Sequence, residues 1–248
     1  MSSPDTSPLI SVGILSYERP ELLKYALDSV ASQTIQNLEI LISDNCSSNP
    51  DVRRVIEKFR EKYPDAKIFY HEKNRGAFWN FRFVLGQATA PLFIWLADDD
   101  FWSPDFLASL LVARGNSSPS LTYSQAIPYY LEDKTSGVPA KERVSARRGI
   151  GNVVRQTGFD SDSIIYGLFD TALCEKFSVL LKVWPVPFQW ETRFPTIEVD
   201  FTSYAFLYGV LLEADFINAR GIFCYSSNPT ISNNTISNNT AFNGGGIY

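Results

Sequence analysis

The sequence predicts an α/β fold with a mostly parallel, Rossmann-like central sheet that is flanked by helices. Short apolar runs of strand length recur through the first hundred residues, and amphipathic segments of roughly 10 to 15 residues separate them. The chain has 248 residues and is 45% hydrophobic, which is enough to fill the core of one large domain. Strands that are buried on both faces of such a sheet should be apolar along their whole length.

Strands and helices alternate over the first half of the chain. Typical helix-starting residues follow the strand-like runs, namely Pro20, the pair Asn49–Pro50 and the pair Ser103–Pro104. Apolar side chains then recur at helical spacing after each of these starts. The predicted strands are 9–15, 38–43, 67–70 and 91–96, and the predicted helices are 20–33, 50–63, 76–89 and one that begins at Ser103–Pro104.

The second half of the chain has a weaker pattern. Its longest amphipathic segment predicts a helix over 199–214, and its most polar segment, rich in charged residues, predicts a mobile loop. The elements expected there are a strand at 121–127, the loop at 131–151, an apolar segment at 163–169 with a short helix after it, the helix at 199–214 and a closing edge strand at 217–225.

The domain organisation follows from this pattern. We expect a single domain over 1–227, with halves 1–112 and 113–227, and a flexible Asn/Gly-rich tail over 228–248. The pentapeptide ISNNT occurs twice in the tail and resembles a fragment of a β-helix repeat, a truncated second module. One partial coil cannot bury its own apolar face, so the tail should not define the fold.

Composition excludes several classes of function. The net charge is −5 and no block of Lys or Arg occurs, so nucleic acid is not an expected partner. The sequence shows no apolar run of 18 residues and no basic leader, so neither a membrane span nor a signal peptide is expected. Three widely spaced cysteines (Cys46, Cys174 and Cys224) suggest free thiols in a reducing cytosol. His71, the only histidine, excludes a His-rich metal site and is expected at the surface or a sheet edge.

Polar clusters follow three of the predicted strands. They are SYER at 16–19, SDN at 43–45 and ADDD at 97–100. Because the carboxyl ends of parallel strands meet at one edge of the sheet, where ligands of α/β folds bind, we expect the three clusters to form one site. Three adjacent carboxylates after a buried strand repel one another, which indicates either a solvated loop or a bound cation.

Three segments occur in a recognisable order and spacing. They are SVGILSYERPELLKYALDSVASQTIQNLEILISDNCSS at 11–48, KNRGAFWN at 73–80 and PLFIWLADDDFWSPDFL at 91–107. Over about 9–112 they resemble family 2 glycosyltransferases of the GT-A fold, with their N-x-G-x-x-x-N segment and their acidic DXD region. The resemblance implies inverting transfer of a sugar from a nucleotide-sugar to a hydroxyl acceptor, with Mg²⁺ or Mn²⁺. Residues 1–112 would then bind the donor, and 113–227 would face the acceptor.

The resemblance also assigns roles within the acidic cluster. Asp98 would face the ribose or the diphosphate, and Asp99 would hold the metal, with Asp100 as an additional ligand or a helix-starting residue. Ala97 stands where the common D-x-D-D form has its first acid, so the division among the three residues stays open. Because diphosphate oxygens supply further ligands, one or two carboxylates suffice for a hard divalent cation.

Further binding residues are expected at the other strand ends. A carboxylate at Asp44 can accept hydrogen bonds from a base N–H or from ribose hydroxyls, although it can also form an Asx turn. The first strand end offers Ser16, Tyr17 and Glu18. Tyr17 or the local backbone can pack against the base, and the alternative is that Tyr17 and Arg19 are simply loop residues. Arg75 has a planar guanidinium that suits phosphate, with an exposed turn residue as the alternative.

The catalytic base must deprotonate the acceptor hydroxyl. By the family's usual spacing, Asp200 takes this role, with Glu198 as the alternative and Glu191 as a poorer one; a plain helix N-cap is the other interpretation of Asp200. Three aromatic residues in the acceptor half can stack on sugar rings or simply pack. They are Trp184, Phe188 and Trp190.

The functional prediction is an enzyme of bacterial surface-glycan synthesis, located in the cytosol or at the inner face of the membrane. Its partners would be a UDP-, GDP- or dTDP-sugar donor and a glycan or lipid-linked acceptor. The alternatives are a nucleotidyltransferase, a non-catalytic nucleotide-sugar-binding module and a β-helix surface protein. A nucleotidyltransferase usually carries a Gly-rich phosphate loop early in the chain, and the segment LISVGILSYERP lacks one.

Overall fold

A computed structural model describes most of the first half of the chain and parts of the second. The described residues are 7–115, 120–130, 135–136, 165–181, 206, 210 and 216–228. The strands are β1 (Ile10–Ser16), β2 (Leu38–Asp44), β3 (Lys67–Tyr70), β4 (Leu92–Leu96), β5 (Asp100–Trp102), β6 (Leu121–Tyr130), β7 (Thr135–Ser136), β8 (Leu168–Asp170) and β9 (Phe216–Asn228). The helices are α1 (Pro20–Ala31), α2 (Pro50–Lys62), α3 (Ala77–Leu85), α4 (Phe106–Arg114) and α5 (Thr171–Phe177), with a 3₁₀ turn at Ser178–Leu180.

The described strands form one mixed sheet in the order β3-β2-β1-β4-β8-β6-β9-β5, with β7 paired to β6. The first four strands in this order are parallel to one another. Strand β8 is antiparallel to β4 and to β6, and β9 is parallel to β6 and antiparallel to β5. The predicted α/β class and mostly parallel sheet are therefore confirmed.

The sheet separates two apolar layers. Along β1, Ile10, Val12 and Ile14 face the helices α1 and α2, while Leu15 faces the layer that contains α3. Trp95 of β4 lies in this second layer and contacts Phe206, one of the few described residues of the predicted 199–214 helix. Both Phe206 and Val210 are helical and buried, in agreement with that prediction.

A close approach within the second layer requires glycine. A Cβ atom added to Gly13 would lie 2.7 Å from Cζ of Phe93 and 3.0 Å from Cγ1 of Val84. The aromatic ring of Phe93 and helix α3 can therefore pack directly on the backbone of β1 because position 13 has no side chain.

Three local expectations need correction. The fourth helix begins at Phe106 rather than at Ser103–Pro104, because residues 104–105 form a turn and the amide of Phe106 bonds the carbonyl of Ser103 at 3.0 Å. The expected edge strand, β9, lies inside the sheet because the short strand β5 pairs with its outer side. Of the expected loop at 131–151, only Thr135 and Ser136 are described, and they pair with β6. The tail beyond residue 228 lies outside the described residues.

At the amino ends of the strands, one buried carboxylate joins three elements. Glu39 of β2 accepts hydrogen bonds from Lys67 of β3, at 2.6 Å, and from the Oγ of Ser11 in β1. It also accepts from the backbone and the hydroxyl of Thr89, at 2.7 and 2.8 Å. These donors lower the pKa of Glu39 to about 2, against the effect of burial. Glu39 thus ties β1, β2, β3 and the segment before β4 together at this end of the sheet.

Candidate functional site

The carboxyl ends of four parallel strands are joined by hydrogen bonds. The amide of Asn45 donates to the carbonyl of Ser16, at 2.9 Å, and the amide of His71 donates to the carbonyl of Asp44, at 3.1 Å. The amide of Tyr17 donates to Oδ2 of Asp98, at 2.8 Å. The three polar clusters that follow β1, β2 and β4 therefore meet at one edge, as the parallel arrangement predicts.

The acidic cluster forms a buried turn rather than a solvated one. Asp98, Asp99 and Asp100 are 7%, 2% and 1% exposed, and the amide of Asp100 closes the turn on the carbonyl of Ala97, at 3.2 Å. Burial raises the pKa of both Asp98 and Asp99. The negative charge of Asp99 raises the pKa of Asp98 further, to about 7. Such buried and mutually repelling carboxylates favour a cationic partner.

Arg19 supplies such a partner, and no site role was predicted for it. One guanidinium nitrogen, Nη1, lies 2.6 Å from Oδ2 of Asp99 and 3.2 Å from Oδ1 of Asp98. Arg19 precedes the first helical residue, Pro20, so the start of α1 directs it toward the end of β4. The sequence does contain one indication of this ion pair. Arg19 lies three residues after β1, and the aspartates follow β4, which is the neighbour of β1 in the sheet.

Glu18 joins the loop after β1 to the loop after β2. Its carboxylate accepts hydrogen bonds from the amides of Ser48 and Asn49, and its own amide donates to Oγ of Ser47, at 2.9 Å. These amide donors lower the pKa of Glu18. Glu18 also has a positive φ of 63°, an unfavourable backbone conformation for a residue with a side chain. Its carboxylate thus positions the two loops, and the predicted ligand contact of Glu18 stays a prediction.

The other residues expected at the ends of β1 and β2 are present in the same place. Ser16 is buried, and its hydroxyl has no hydrogen-bond partner among the described residues, whereas Tyr17 is 42% exposed. The carboxylate of Asp44 accepts from the amide of Ser47, at 3.2 Å, and from its hydroxyl, which forms the Asx turn that DNCSS allows. Asp44 is 6% exposed at the very end of β2, beside Ser16 in register.

The wall beyond β2 is built by the N-x-G-x-x-x-N segment. Asn74 accepts from the side chain of Asn45, at 2.9 Å, and from the amide of Gly76, at 2.8 Å, where φ is +85° and the chain turns into α3. Asn45 in turn accepts from the amide of Arg75, at 3.0 Å. The guanidinium of Arg75 lies 4.7 Å from the ring centre of Trp79, and the residue is exposed. The fixed backbone at 74–76 therefore orients Arg75.

His71 directly follows β3, the edge strand of the sheet, as expected, and is half-buried there. Its Nε2 lies 2.8 Å from Oγ of Ser43, and its ring contacts Trp79 and Phe83 edge to face. Oγ of Ser43 donates to Asn80, so it accepts from a neutral His71 that carries its proton on Nε2. Burial and the nearby charge of Arg75 lower the pKa of His71, which favours this neutral form.

The residues expected on the acceptor side lie outside the described part of the chain. They are Asp200, Glu198, Glu191, Trp184, Phe188 and Trp190.

The donor set at β4 fits a hard divalent cation that also binds phosphate. Carboxylate oxygens are the protein ligands that Mg²⁺ and Mn²⁺ prefer, and Asp98 and Asp99 supply them in one buried turn. Within the described residues no group of three or more metal-ligating side chains is present, so the remaining ligands would come from a substrate and from water. No described helix is long and apolar enough to span a membrane.

Comparison with known proteins decides the family. Residues 11–167, well over half of the chain, match the family model of Glycosyl transferase family 2. The chain belongs to this family. An uncharacterised glycosyltransferase of Nostoc sp. is 28% identical over 193 residues, which are 73% of this chain and 55% of the Nostoc protein. The GalNAc(5)-diNAcBac-PP-undecaprenol beta-1,3-glucosyltransferase of Campylobacter jejuni is 30% identical over 105 residues, which are 42% of this chain and 34% of the Campylobacter protein.

Solved structures share the fold. The S. aureus protein TarS (residues 1–349) superposes with a TM-score of 0.67 at 16% identity, over 89% of this chain and 61% of TarS. A complex of TarS with UDP-GlcNAc gives a TM-score of 0.65. The mannosyltransferase PcManGT of Pyrobaculum calidifontis, in complex with GDP-Man and Mn²⁺, gives 0.58 over 93% of this chain and 60% of PcManGT. The predicted family 2 membership is confirmed, and this chain covers between 34% and 61% of the length of these relatives and structural neighbours.

Proposed function

We propose that the protein is an inverting, metal-dependent glycosyltransferase, which transfers a sugar from a nucleoside-diphosphate sugar to a hydroxyl acceptor. The observation that carries the proposal is the pair of buried carboxylates, Asp98 and Asp99, at the carboxyl end of β4. They face the ends of β1 and β2, where Tyr17 and Asp44 lie. The complexes of TarS with UDP-GlcNAc and of PcManGT with GDP-Man and Mn²⁺ support a donor of this class.

Each strand end has a role in donor binding. Asp44 accepts hydrogen bonds from the base or the ribose, and Arg75, held over Trp79, binds base or diphosphate through its planar guanidinium. Ser16 and Tyr17 form the floor and rim of the base pocket. The Tyr17 amide fixes the carboxylate of Asp98 toward the ribose or diphosphate. Preorganised groups of this kind bind without rearranging, which favours affinity.

The metal ligands in this proposal are Asp99 and, as an additional ligand, Asp100. A bound Mg²⁺ or Mn²⁺ would neutralise negative charge that develops on the leaving diphosphate. Asp100 is 1% exposed and begins β5, so its backbone is fixed by pairing with β9 rather than by the start of helix α4. Its carboxylate is thus placed by a strand beside Asp99.

The base that deprotonates the acceptor hydroxyl is Asp200, with Glu198 as the alternative. In an inverting reaction this carboxylate removes the proton while the hydroxyl oxygen attacks the anomeric carbon and the diphosphate leaves from the opposite face. The name of the Campylobacter jejuni relative supports a polyprenol-linked glycan as acceptor, and hence a place in bacterial glycan synthesis. A reaction on such an acceptor would take place at the inner face of the membrane.

A thermal-shift screen tests the donor class. The protein is heated with UDP-, GDP- and dTDP-sugars, with Mn²⁺ or with EDTA, and Asp99→Asn is measured beside it. We expect one nucleotide to raise the melting temperature only with Mn²⁺, and Asp99→Asn to lose that rise. No stabilisation by any nucleotide with Mn²⁺ would contradict the proposal.

Turnover separates an enzyme from a non-catalytic binding module. Asp200→Asn should abolish release of nucleoside diphosphate from the preferred donor while its binding persists. If the unmodified protein binds the donor but never turns it over, with lipid-linked acceptors supplied, the binding module is the correct alternative. Family membership already favours glycosyl over nucleotidyl transfer, and the matched residues 11–167 lie outside the β-helix-like tail.

A further inference from the structure

Arg19 forms an ion pair with Asp99, the carboxylate that we propose as a metal ligand. Its Nη1 lies 2.6 Å from Oδ2 of Asp99, whose side chain is 1% exposed. A Mg²⁺ ion bound to the same oxygen would lie at about 2.0–2.1 Å. The guanidinium and the metal would then compete for one carboxylate oxygen, and two positive charges at roughly 3–4 Å repel each other.

The local charges explain why a cation is held there without a ligand. Asp98 and Asp99 are both buried, and isolated buried carboxylates strongly destabilise a fold. Both ion pairs of these residues with Arg19 use the same nitrogen. One guanidinium carries a single positive charge beside two adjacent carboxylates, whereas a divalent cation carries two, so the cluster favours the more highly charged cation.

The structure also allows the side chain of Arg19 to move while its backbone stays. The carbonyl of Arg19 accepts from the amide of Leu23, at 2.9 Å, in the first turn of α1. The preceding residues are fixed by the contacts of Tyr17 with Asp98 and of Glu18 with the loop after β2. The side chain of Arg19, in contrast, is 30% exposed.

We propose that Arg19 is a resident counter-ion, which metal and diphosphate displace together, and that its released guanidinium then binds the diphosphate. This inference rests on the proposed function, because it takes Asp99 as the metal ligand. A guanidinium presents a planar set of donors that matches phosphate oxygens. A metal ion that binds alone must break the ion pair between Arg19 and Asp99, and it leaves the guanidinium of Arg19 without an anionic partner. A metal ion that binds together with a diphosphate supplies that partner. Metal and nucleotide therefore bind cooperatively.

Titration of Mn²⁺, followed by the electron paramagnetic resonance signal of the free ion, tests this coupling. The proteins are the wild type, Arg19→Gln, Arg19→Lys and the control Arg60→Gln, which removes the same charge from the exposed end of α2. Each is titrated with and without the nucleoside diphosphate that binds best in the screen above. Circular dichroism verifies that each variant is folded.

Without nucleotide, Arg19→Gln should bind Mn²⁺ about tenfold more tightly than the wild type, while Arg19→Lys, which keeps the charge, and Arg60→Gln should not. With nucleotide, the wild type should gain about tenfold in Mn²⁺ affinity, and Arg19→Gln should gain much less. Equal or weaker Mn²⁺ binding by folded Arg19→Gln without nucleotide would overturn the inference.

The outcomes separate this inference from the function on which it rests. If the wild type binds Mn²⁺ with nucleotide but Arg19→Gln shows neither tighter metal binding nor reduced coupling, only the role of Arg19 is wrong. If none of the proteins binds Mn²⁺ even with nucleotide, both the metal dependence and the role of Arg19 are wrong.

Discussion

The backbone amide of Tyr17 donates a 2.8 Å hydrogen bond to Oδ2 of Asp98, across 81 positions of the sequence. This contact joins the end of β1 to the end of β4, which are neighbours in the parallel sheet. A backbone donor has a fixed direction, so it orients the Asp98 carboxylate before any ligand arrives. The site is therefore preorganised by the sheet and not only by its loops.

Asp98→Asn should stabilise the protein without ligand and weaken nucleotide binding. The asparagine oxygen can still accept from Tyr17, while the repulsion between the buried carboxylates of Asp98 and Asp99 disappears. We expect a melting temperature higher by a few degrees and nucleoside-diphosphate affinity at least about tenfold lower. Thermal unfolding and calorimetric titration measure the two effects. The exposed Asp28→Asn is the control, and a lower melting temperature for Asp98→Asn would contradict the account.

Glu18→Gln should loosen the loops after β1 and β2, which border the proposed binding site for the base. The amide side chain loses the charge and one of the two acceptor oxygens that bond Ser48 and Asn49. We expect nucleotide affinity to fall about fivefold, since hydrogen bonds to charged groups contribute more than neutral ones. Calorimetric titration beside the surface variant Glu21→Gln measures this. Unchanged affinity in Glu18→Gln would show that the loops hold their positions without the carboxylate.

Glu39 should make the folded protein sensitive to acid. Its pKa in the folded protein, about 2, lies below its ordinary value of 4.5. The ionised form therefore stabilises the fold fully above about pH 4.5, and this stabilisation is lost as the pH falls from 4.5 toward 2. The difference corresponds to a contribution on the order of 3 kcal/mol.

Urea unfolding between pH 7 and pH 2.5 measures this contribution. Glu39→Gln should be less stable than the wild type at pH 7, and the two curves should converge as the pH falls. The exposed Glu61→Gln should follow the wild type throughout. Parallel curves for Glu39→Gln and the wild type would mean that the bonds to Lys67, Ser11 and Thr89 do not depend on the charge.

Gly13→Ala should destabilise the fold, because the new methyl group would overlap Phe93 and touch Val84. Overpacking of a buried position costs about 1–3 kcal/mol. The matched control is Gly86→Ala at the end of α3, where the nearest atoms to an added Cβ are 3.5 Å away. Chemical unfolding should show a clear loss for Gly13→Ala and almost none for Gly86→Ala, and equal stabilities would refute the close packing at β1.

The fold was predictable where burial dictates the sequence. Strands β1, β2 and β4 are covered on both faces, so their sequences are mostly apolar and their ends are marked by polar residues. Strand β5 was not predictable from the sequence. It has only three residues, which are too few to show a periodic pattern, and its partner β9 lies more than 120 positions later in the chain.

The site was predictable in outline for the same reason. Parallel strands bring their ends together whatever the loops do, so Asp44 and Asp98 could be placed in one site from the sequence. The ion pairs of Arg19 and the bridge made by Glu18 depend on side-chain direction across loops, which spacing along the chain does not encode. The carboxylate of Asp44 forms an Asx turn in its own loop, while Asp44 also lies at the strand-end edge of the sheet.

Crystals soaked with Mn²⁺ and the preferred nucleoside diphosphate provide the most direct test of the central claim. The account predicts an anomalous peak within about 2.3 Å of a carboxylate oxygen of Asp99. The diphosphate should bind this ion, and the base should lie between the ends of β1 and β2, beside Asp44. A nucleotide bound at another edge of the sheet, or a Mn²⁺ ion that contacts neither Asp99 nor Asp100, would contradict it.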